Sequence, residues 1–257
     1  MFPTVGHLGP IAIGTHDTLV GLGVLVAAGM FVYEARRRRV TDDRIWIVVA
    51  GALVGGAVLS RLGTWLEHLD PRLNASLVEQ WMYGNRSILS GLVGAYFGAI
   101  VAKRLCGYRQ PTGDLFAPAV ALGMAVGRVG CLLTEVPGTP TSLPWSITLD
   151  PATAARLHAP AGVGLHPSFG YEIIFQLSAF VALCLLRDRI TEPGELFKLY
   201  VISYALFRFG IEFVRGNEQV LWGLSRPQWF LLLTLPFAAL HMVRQHRRGI
   251  YTAWRTT

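Results

Sequence analysis

The side chains most able to do chemistry lie on one predicted helix face. Tyr204, Arg208 and Glu212 are spaced at i, i+4 and i+8, and Arg215 falls at i+11. Because an α-helix has 3.6 residues per turn, this spacing places all four side chains on the same face. Arg208 and Glu212 are one turn apart and can form an ion pair. The pattern predicts either a polar seam between helices or a site for an anionic group.

Arginines elsewhere in the chain favour the anion site. Arg61 and Arg128, like Arg208, lie inside or at the ends of apolar segments. An arginine at the centre of a membrane helix costs about 2.5–3.5 kcal/mol on insertion scales, so such residues usually face a cavity or a partner. With Arg215 they exceed the few acidic residues nearby. A phosphate headgroup would satisfy this excess, because the guanidinium fork can bind phosphate through two hydrogen bonds.

Two strings beside these arginines also carry polar groups. In GRVGC at residues 127–131, the glycines would let a headgroup approach the backbone while Arg128 supplies the charge. In HPSFGYE at residues 166–172, Pro167 and Glu172 suit the first turn of a helix. His166 is a candidate proton carrier at the outer interface, although helix capping alone would explain the rest of this string.

Composition assigns these motifs to a membrane protein. Of 257 residues, 52% are hydrophobic and only 15% are charged, and the mean hydropathy is +0.43. A soluble domain carries about 25% charged residues, so composition argues against an ordinary soluble globule and against disorder. The three cysteines are odd in number and predict no disulfide framework. Without CxxC or HExxH spacing, we expect neither a metal nor a cofactor.

Seven apolar segments, each near the ~20 residues needed to cross hydrocarbon, predict an all-α, polytopic membrane protein whose single domain covers residues 1–257. They are Thr18–Tyr33, Ile45–Leu62, Ser87–Ala102, Leu115–Leu133, Tyr171–Leu186, Phe197–Val214 and Gln228–Val243. Lys and Arg cluster at 36–44, 103–109, 187–198 and 244–255, which marks the cytoplasmic side. The N-terminus is then outside, the C-terminus inside, and the outer loops, about 63–86 and 134–170, form a small cap.

The remaining basic residues are all arginines on the outward side of this topology. They are Arg61, Arg72, Arg86, Arg128, Arg156, Arg208, Arg215 and Arg226. We expect Arg72, Arg156 and Arg226 to reach water from the interface.

Glycines within the apolar segments predict close helix contacts, because small residues let helix backbones approach. They are Gly51, Gly55, Gly56, Gly91, Gly94, Gly98, Gly123 and Gly127. At Gly55-Gly56 and at Ser90–Gly94, the alternative is a helix that unwinds near a ligand.

Taken in order, the motifs resemble those of the prolipoprotein diacylglyceryl transferases of bacterial plasma membranes. DLFAP at 114–118 and GRVG at 127–130 resemble the family strings D-x-x-A-P and G-R-x-G. PTSLPW at 140–145 resembles R-P-T-x-L-P-W, and 166–172 resembles H-P-x-x-x-Y-E. The helix at 204–215 is similar to Y-x-x-x-R-F-x-x-E-x-x-R. The resemblance covers most of the chain.

The resemblance implies a seven-helix fold with an outer cap, in the bacterial plasma (inner) membrane. It implies transfer of the diacylglyceryl group from phosphatidylglycerol to the lipobox cysteine thiol of a prolipoprotein signal peptide, giving a thioether and glycerol phosphate. Arg128 and Arg208 would hold the phosphate and stabilise the leaving group. Glu212 would orient Arg208, and Tyr204 would line the pocket. The expected partners are these two substrates and membrane lipids, and no nucleic acid.

The sequence departs from the family where protons are handled. Leu89 replaces the histidine of the family's H-G-G-L-x-G string, and Cys131 replaces the asparagine that follows G-R-x-G. The acceptor thiol must become a thiolate to attack, so the histidine's loss removes the obvious base. Either another group takes the proton, for which we name His166 or Glu135, or the chain is a divergent member with altered activity.

These considerations define the predicted site. The predicted catalytic residues are Arg128, Arg208, Glu212, Tyr204, Glu135 and His166, and the predicted substrate-binding residues are Arg61, Gly127, Gly130, Cys131, Ser90, Gly91 and Arg215. A non-catalytic anionic-phospholipid-binding homologue of the same fold is the alternative that Leu89 and Cys131 favour. A small transporter is a third reading, which broken-helix glycines permit but which polar residues gathered near one leaflet disfavour.

Overall fold

The computed structural model describes residues 4–8, 11–67 and 88–251, which are mostly helical. The long helices in this part of the chain are α1 Thr15–Arg37, α2 Ile45–Glu67, α3 Ile88–Cys106, α4 Gly113–Thr134, α6 Ser168–Leu186, α7 Glu195–Arg215 and α8 Arg226–Arg247, and the short α5, Pro151–Leu157, precedes α6. Each predicted apolar segment lies within one long helix, apart from Ser87, which is outside the described residues. By length and composition, Thr15–Arg37, Ile45–Gly63, Gly113–Thr134 and Ser168–Leu186 can each cross a membrane.

The surfaces of the long helices are strongly apolar. Leu25 in α1, Leu185 in α6 and Phe237 in α8 are 70%, 69% and 76% exposed. Large apolar patches on a protein surface are unfavourable in water but suit contact with lipid chains. The fold is therefore that of an all-α, multi-pass membrane protein.

Short antiparallel ribbons join some of the helices. Strand β1, Thr4–Leu8, pairs with β2, Ile11–Gly14; β3, Ile147–Thr148, pairs with β4, Gly164–Leu165; and β5, Gln219–Leu221, pairs with β6, Leu224–Ser225. These strands are not among the elements predicted from the sequence. A strand of two to five residues is too short to show a period-2 pattern.

The segment predicted as the second part of the cap folds into a small layer of its own. Strands β3 and β4 and helix α5 enclose the buried side chains of Leu149, Ala154 and Leu165. Asp150 caps α5 by accepting a hydrogen bond of 3.0 Å from the Thr153 N–H, which holds the pKa of this carboxyl below its usual value. Of the other predicted outer segment, residues 68–86 lie outside the described part, with Arg72 and Arg86.

Helices α2 and α3 form one compact unit, Arg39–Gln110, through close glycine contacts. A Cβ added at Gly51 would lie 2.8 Å from the Gly98 carbonyl oxygen, and one at Gly55 would collide with the Gly94 carbonyl. This confirms helix packing as the role of these glycines. Both helices are continuous at these positions, so the unwound alternative is not what the structure has.

The other described helices form a second unit, in which α4 is central. It packs against α1, α6 and α7, and α8 packs against α7. At the contact with α1, a Cβ on Gly23 would lie 2.6 Å from the Gly123 carbonyl oxygen. Ala117 and Ala121 of α4 share a buried apolar cluster with Tyr200 of α7. Helix α4, which carries Arg128, is thereby held against α7, which carries Arg208.

The motif aspartate strengthens this arrangement. The Asp114 carboxylate accepts hydrogen bonds from the backbone N–H groups of Gly194, at 2.8 Å, and Phe197, at 3.1 Å. These donors belong to the start of α7, where backbone N–H groups have no partner within the helix and the helix dipole favours negative charge. Asp114 therefore fixes the position of α7 relative to α4.

Candidate functional site

Glu172, at the start of α6, joins two of the predicted arginines. Its side chain is fully buried and forms an ion pair with Nε of Arg128 from α4. Nη1 of Arg215, from the end of α7, donates to Oε1 of Glu172 at 2.9 Å. The Phe169 ring lies 5.8 Å from the Arg128 guanidinium and 4.7 Å from that of Arg215, within cation–π range. Helices α4, α6 and α7 therefore meet at one carboxylate.

Glu212 is the second buried carboxylate of the site. It forms the predicted ion pair with Arg208, one turn earlier on α7. Its Oε1 also accepts hydrogen bonds from Asn217 Nδ2 at 2.6 Å and from Ser225 Oγ at 2.7 Å. Ser225 is the N-cap of α8, in a capping box with Gln228. These contacts hold Glu212 in place, and Glu212 in turn holds Arg208.

Tyr204 connects the two ion pairs. Its side chain is buried and packs against the ring of Phe175, with the centroids 6.0 Å apart. Arg128 and Arg208 are both close enough to its hydroxyl to act on it electrostatically. Two arginines from different helices therefore act on Tyr204, and the shared substrate site predicted from them stays a prediction.

The buried group carries more positive than negative charge. Arg128, Arg208 and Arg215 supply three positive charges, and Glu172 and Glu212 supply two negative ones, so these five residues leave one positive charge in excess. This count does not include Glu135, a half-exposed carboxylate of the adjoining cavity. The side chains of Arg128 and Arg208 are only 6% and 9% exposed. An uncompensated charge at such depth is costly, so a singly charged anion bound here would be stabilising.

An open cavity of about 540 Å³ adjoins this group. It is lined by Arg215, Phe169 and Asn217, together with Ser168 and Glu135. Arg215 is thus the arginine that faces the cavity, whereas Arg128 and Arg208 are buried in their ion pairs. A phosphate that entered here would meet Arg215 first.

Helix α1 occupies the space beside the GRVGC string. A Cβ on Gly130 would lie 3.2–3.3 Å from atoms of Leu19 and His16, and the Gly127 backbone lies against Gly23. Gly130 and Gly23 allow α1 to pack closely on α4, whereas a Cβ on Gly127 would have no atom within 4 Å; the predicted part of Gly127 and Gly130 in headgroup binding stays a prediction.

The Cys131 thiol and the Glu135 carboxylate lie on the same side of α4 as Arg128. Cys131 is buried, and its Sγ is 3.7 Å from Nη1 of Arg128. Glu135 follows the end of α4, and its Oε1 is 3.5 Å from Nε2 of His16. Of the two bases named from the sequence, Glu135 is the one that lines the cavity.

His166 is placed with the cap. Its Nδ1 is 3.2 Å from the hydroxyl of Tyr171, which also accepts a hydrogen bond of 2.8 Å from Trp145 Nε1. The His166 backbone N–H donates to the Thr139 carbonyl at 2.9 Å. These contacts hold His166 within the predicted cap, and its predicted role as a proton carrier stays a prediction.

The remaining predicted residues belong to the unit of α2 and α3. Arg61 is half-buried in α2. Ser90 packs where a Cβ on Gly63 would stand, and a Cβ on Gly91 would lie 3.3 Å from Ser60 Cβ. The side chain of Leu89 lies outside the described part. Substrate binding by Arg61, Ser90 and Gly91 stays a prediction.

The sequence predicts only a helix-start role for Glu172, and it gives no prediction for His16. Glu172 was placed at a helix start to suit the dipole, whereas in the structure it accepts two arginines, one of which is 43 residues away. The available signal was a carboxylate inside an ordered motif of an otherwise apolar segment. His16 gave no such signal, since it lies far from the motifs in sequence.

Comparison with known proteins gives a consistent result. The family model described as "Prolipoprotein diacylglyceryl transferase" matches residues 3–244. Proteins named "Phosphatidylglycerol--prolipoprotein diacylglyceryl transferase" are similar along nearly their whole length. The one from Trichormus variabilis is 30% identical, covering 96% of this chain and 92% of that protein. Those from Dehalococcoides mccartyi and Geobacillus kaustophilus are 27% and 31% identical, covering 96% and 89% of this chain and 94% and 86% of those proteins.

Proposed function

We propose that this chain, which belongs to the prolipoprotein diacylglyceryl transferase family, transfers the diacylglyceryl group from phosphatidylglycerol to the lipobox cysteine thiol of a bacterial prolipoprotein. The family predicted from the motifs is thereby confirmed. The proposal includes the bacterial inner membrane as the location. It also includes seven spans in one membrane domain, an outward N-terminus, an inward C-terminus and a cap formed by segments 63–86 and 134–170.

The observation that carries the proposal is the single excess positive charge among the three arginines and two carboxylates of this group. A phosphodiester such as phosphatidylglycerol carries one negative charge, which matches that excess. The adjoining cavity offers Arg215 and the Asn217 amide to phosphate oxygens. A zwitterionic lipid would bring its own cation and would leave the excess uncompensated.

The same charges would assist the reaction. The acceptor thiol gives its proton to a base, for which Glu135 and His166 are the candidates. As its sulfur forms a bond to the glyceryl carbon, the bond from that carbon to the phosphate oxygen breaks and glycerol phosphate leaves. Negative charge on the leaving phosphate grows during this step, and preorganised guanidinium groups stabilise such developing charge. Arg128 and Arg208 supply that field, Glu212 fixes Arg208, and Tyr204 lines the pocket.

The test is transfer by purified protein to a lipobox peptide in phosphatidylglycerol vesicles, with lipidated peptide measured by mass spectrometry. We expect Arg128→Ala and Arg208→Ala each to abolish product. Arg156→Ala is the matched control, because Arg156 is an exposed arginine of α5 in the predicted cap. Full activity in both site variants would show that these arginines are not the phosphate site. No product from the unaltered chain, where a typical family member works, would reject the transferase.

A second candidate function, anionic-lipid binding without turnover, is favoured by Leu89 and Cys131. It predicts phosphatidylglycerol binding that depends on Arg128 and Arg208, with no lipidated peptide. Leu89→His separates the two functions: turnover that appears only in this variant would mean that the native chain lacks its base.

A further inference from the structure

His16, Cys131 and Glu135 bring three different metal-binding groups together at the cavity. Nε2 or Nδ1 of His16, Sγ of Cys131 and a carboxylate oxygen of Glu135 all lie within 4.8 Å of one another. His16 comes from α1, and the other two from the last turn of α4 and the residue after it. We infer that these residues form a three-ligand site for zinc, whose open fourth position takes the acceptor thiol.

The spacing suits a tetrahedral ion. With Zn–N and Zn–O bonds of about 2.0–2.2 Å, a tetrahedral edge between nitrogen and oxygen is about 3.4 Å. The measured distance from His16 Nε2 to Glu135 Oε1 is 3.5 Å. A longer Zn–S bond of about 2.3 Å gives an edge to sulfur of about 3.6 Å. The three donors therefore need only small side-chain movements to bind one ion.

The surroundings also suit a metal. His16 Nδ1, the nitrogen away from Glu135, lies 3.6 Å from Oδ1 of Asp17. A histidine that binds a metal commonly donates its other ring N–H to a carboxylate, and a small movement of the exposed Asp17 side chain would bring it within hydrogen-bonding distance. The thiolate of Cys131 and the carboxylate of Glu135 would together cancel the two charges of Zn²⁺. Burial and the neighbouring Glu135 carboxylate disfavour a free thiolate at Cys131, and the Arg128 guanidinium, 3.7 Å from Sγ, would help to stabilise the metal-bound thiolate.

The open position would face the proposed lipid. The side chains of His16 and Glu135 are 39% and 42% exposed, so water or a substrate can reach the space between them. Glu135 also lines the cavity to which Arg215 contributes. A thiol bound at the open position would therefore lie in the same cavity as the phosphate, which is the arrangement that sulfur attack requires.

Metal binding would deprotonate the acceptor thiol in place of the family histidine that Leu89 replaces. This role of the metal rests on the proposed transferase function. A coordinated thiol is deprotonated outright, and its proton passes to solvent. The sulfur lone pair then forms the bond to the glyceryl carbon, and the electrons of the broken C–O bond leave with glycerol phosphate. The zinc ion is neither oxidised nor reduced. In this arrangement Glu135 acts as a ligand.

The first test measures zinc binding by the protein in the absence of substrates. Untagged protein is equilibrated with Zn²⁺, freed of unbound ion and analysed for zinc, and separately loaded with Co²⁺ for absorption spectroscopy. We expect about one zinc per chain and a sulfur-to-cobalt charge-transfer band. His16→Ala and Cys131→Asn should each weaken zinc binding about 100-fold or more. Cys184→Ser, which alters a thiol in α6, is the matched control and should bind as the unaltered chain does.

Zinc binding and a cobalt band that are unchanged in Cys131→Asn would overturn the site. Folding of the variants is checked by their helical circular dichroism and elution volume. If His16→Ala does not fold, Asp17→Asn replaces it, with an expected loss of affinity of about tenfold.

The second test asks whether diacylglyceryl transfer depends on the bound zinc. Chelation should stop transfer to the lipobox peptide, and added Zn²⁺ should restore it. Transfer that persists in metal-free protein would overturn zinc as the thiol activator and would leave the transferase intact. Bound zinc with no transfer under any condition would support the metal site and overturn the transferase.

Discussion

Replacing Glu172 by glutamine tests the buried ion pairs most sharply. The change keeps the shape of the side chain but removes the charge shared by Arg128 and Arg215. Removing one partner of a buried ion pair typically costs about 3–5 kcal/mol, because a charge is left unpaired. The positive excess among the five residues rises from one to two. We expect Glu172→Gln to lower the free energy of unfolding by about 3–5 kcal/mol.

The loss of unfolding free energy in Glu172→Gln should depend on which lipid is present. A ligand that binds only the folded state stabilises it, and a larger positive excess should bind an anionic headgroup more tightly. We therefore expect phosphatidylglycerol to restore more stability to Glu172→Gln than to the unaltered protein, whereas phosphatidylcholine should restore no more. The assay is denaturant unfolding in mixed micelles of each lipid, followed by circular dichroism.

Glu218→Gln is the control, since Glu218 is exposed and a surface change of this kind usually stays within about 0.5 kcal/mol. If Glu172→Gln were as stable as the control in phosphatidylcholine, the ion pairs would not hold the fold. If its recovery were the same in both lipids, the excess charge would not be a phosphate site.

Further variants test the packing and the positioning of the arginines. Gly55→Ala should destabilise the α2–α3 unit by about 1–3 kcal/mol, since its Cβ would lie 2.9 Å from the Gly98 Cα. The control is Gly29→Ala, whose Cβ would have no atom within 4 Å and which should not destabilise the protein in this way. Equal unfolding midpoints for the two variants would refute the packing. Asp114→Ala should cost about 1 kcal/mol through lost capping of α7, measured by the same unfolding assay, and no loss would contradict that role. Arg208→Lys should keep its charge but lose the planar fork, so kcat should fall well below that of the unaltered protein, and an unchanged kcat would argue against a fork-like contact.

The helices and their local contacts could be predicted because the information is local in the sequence. Hydropathy marks a span within about 20 residues, and the Arg208–Glu212 pair follows from one turn of helix. The glycines of α2 and α3 were also predictable, because small residues at such positions serve helix contact. The ends of the helices were less predictable. Helix α1, for example, runs from Thr15 to Arg37, beyond the predicted Thr18–Tyr33.

The full site was not predictable, because its contacts join residues far apart in sequence. The ion pairs of Glu172 depend on how α4, α6 and α7 pack, and no periodicity carries that information. The cluster of His16 with Cys131 depends on α1 lying against Gly130. The expectation of no metal rests on the absence of a metal-binding spacing, and such spacings describe only ligands that are close in sequence.

Phosphorus NMR of phosphatidylglycerol nanodiscs offers the most direct measurement of the central claim, that converging arginines hold a phosphate while the lipid is transferred to a thiol. On addition of lipobox peptide, we expect the phosphodiester signal to fall and a glycerol phosphate signal to rise in equal amount. The same discs with Arg208→Ala, or with a peptide whose lipobox cysteine is serine, should show no change. Glycerol phosphate released equally by Arg208→Ala, or none released by the unaltered protein with its peptide, would contradict the claim.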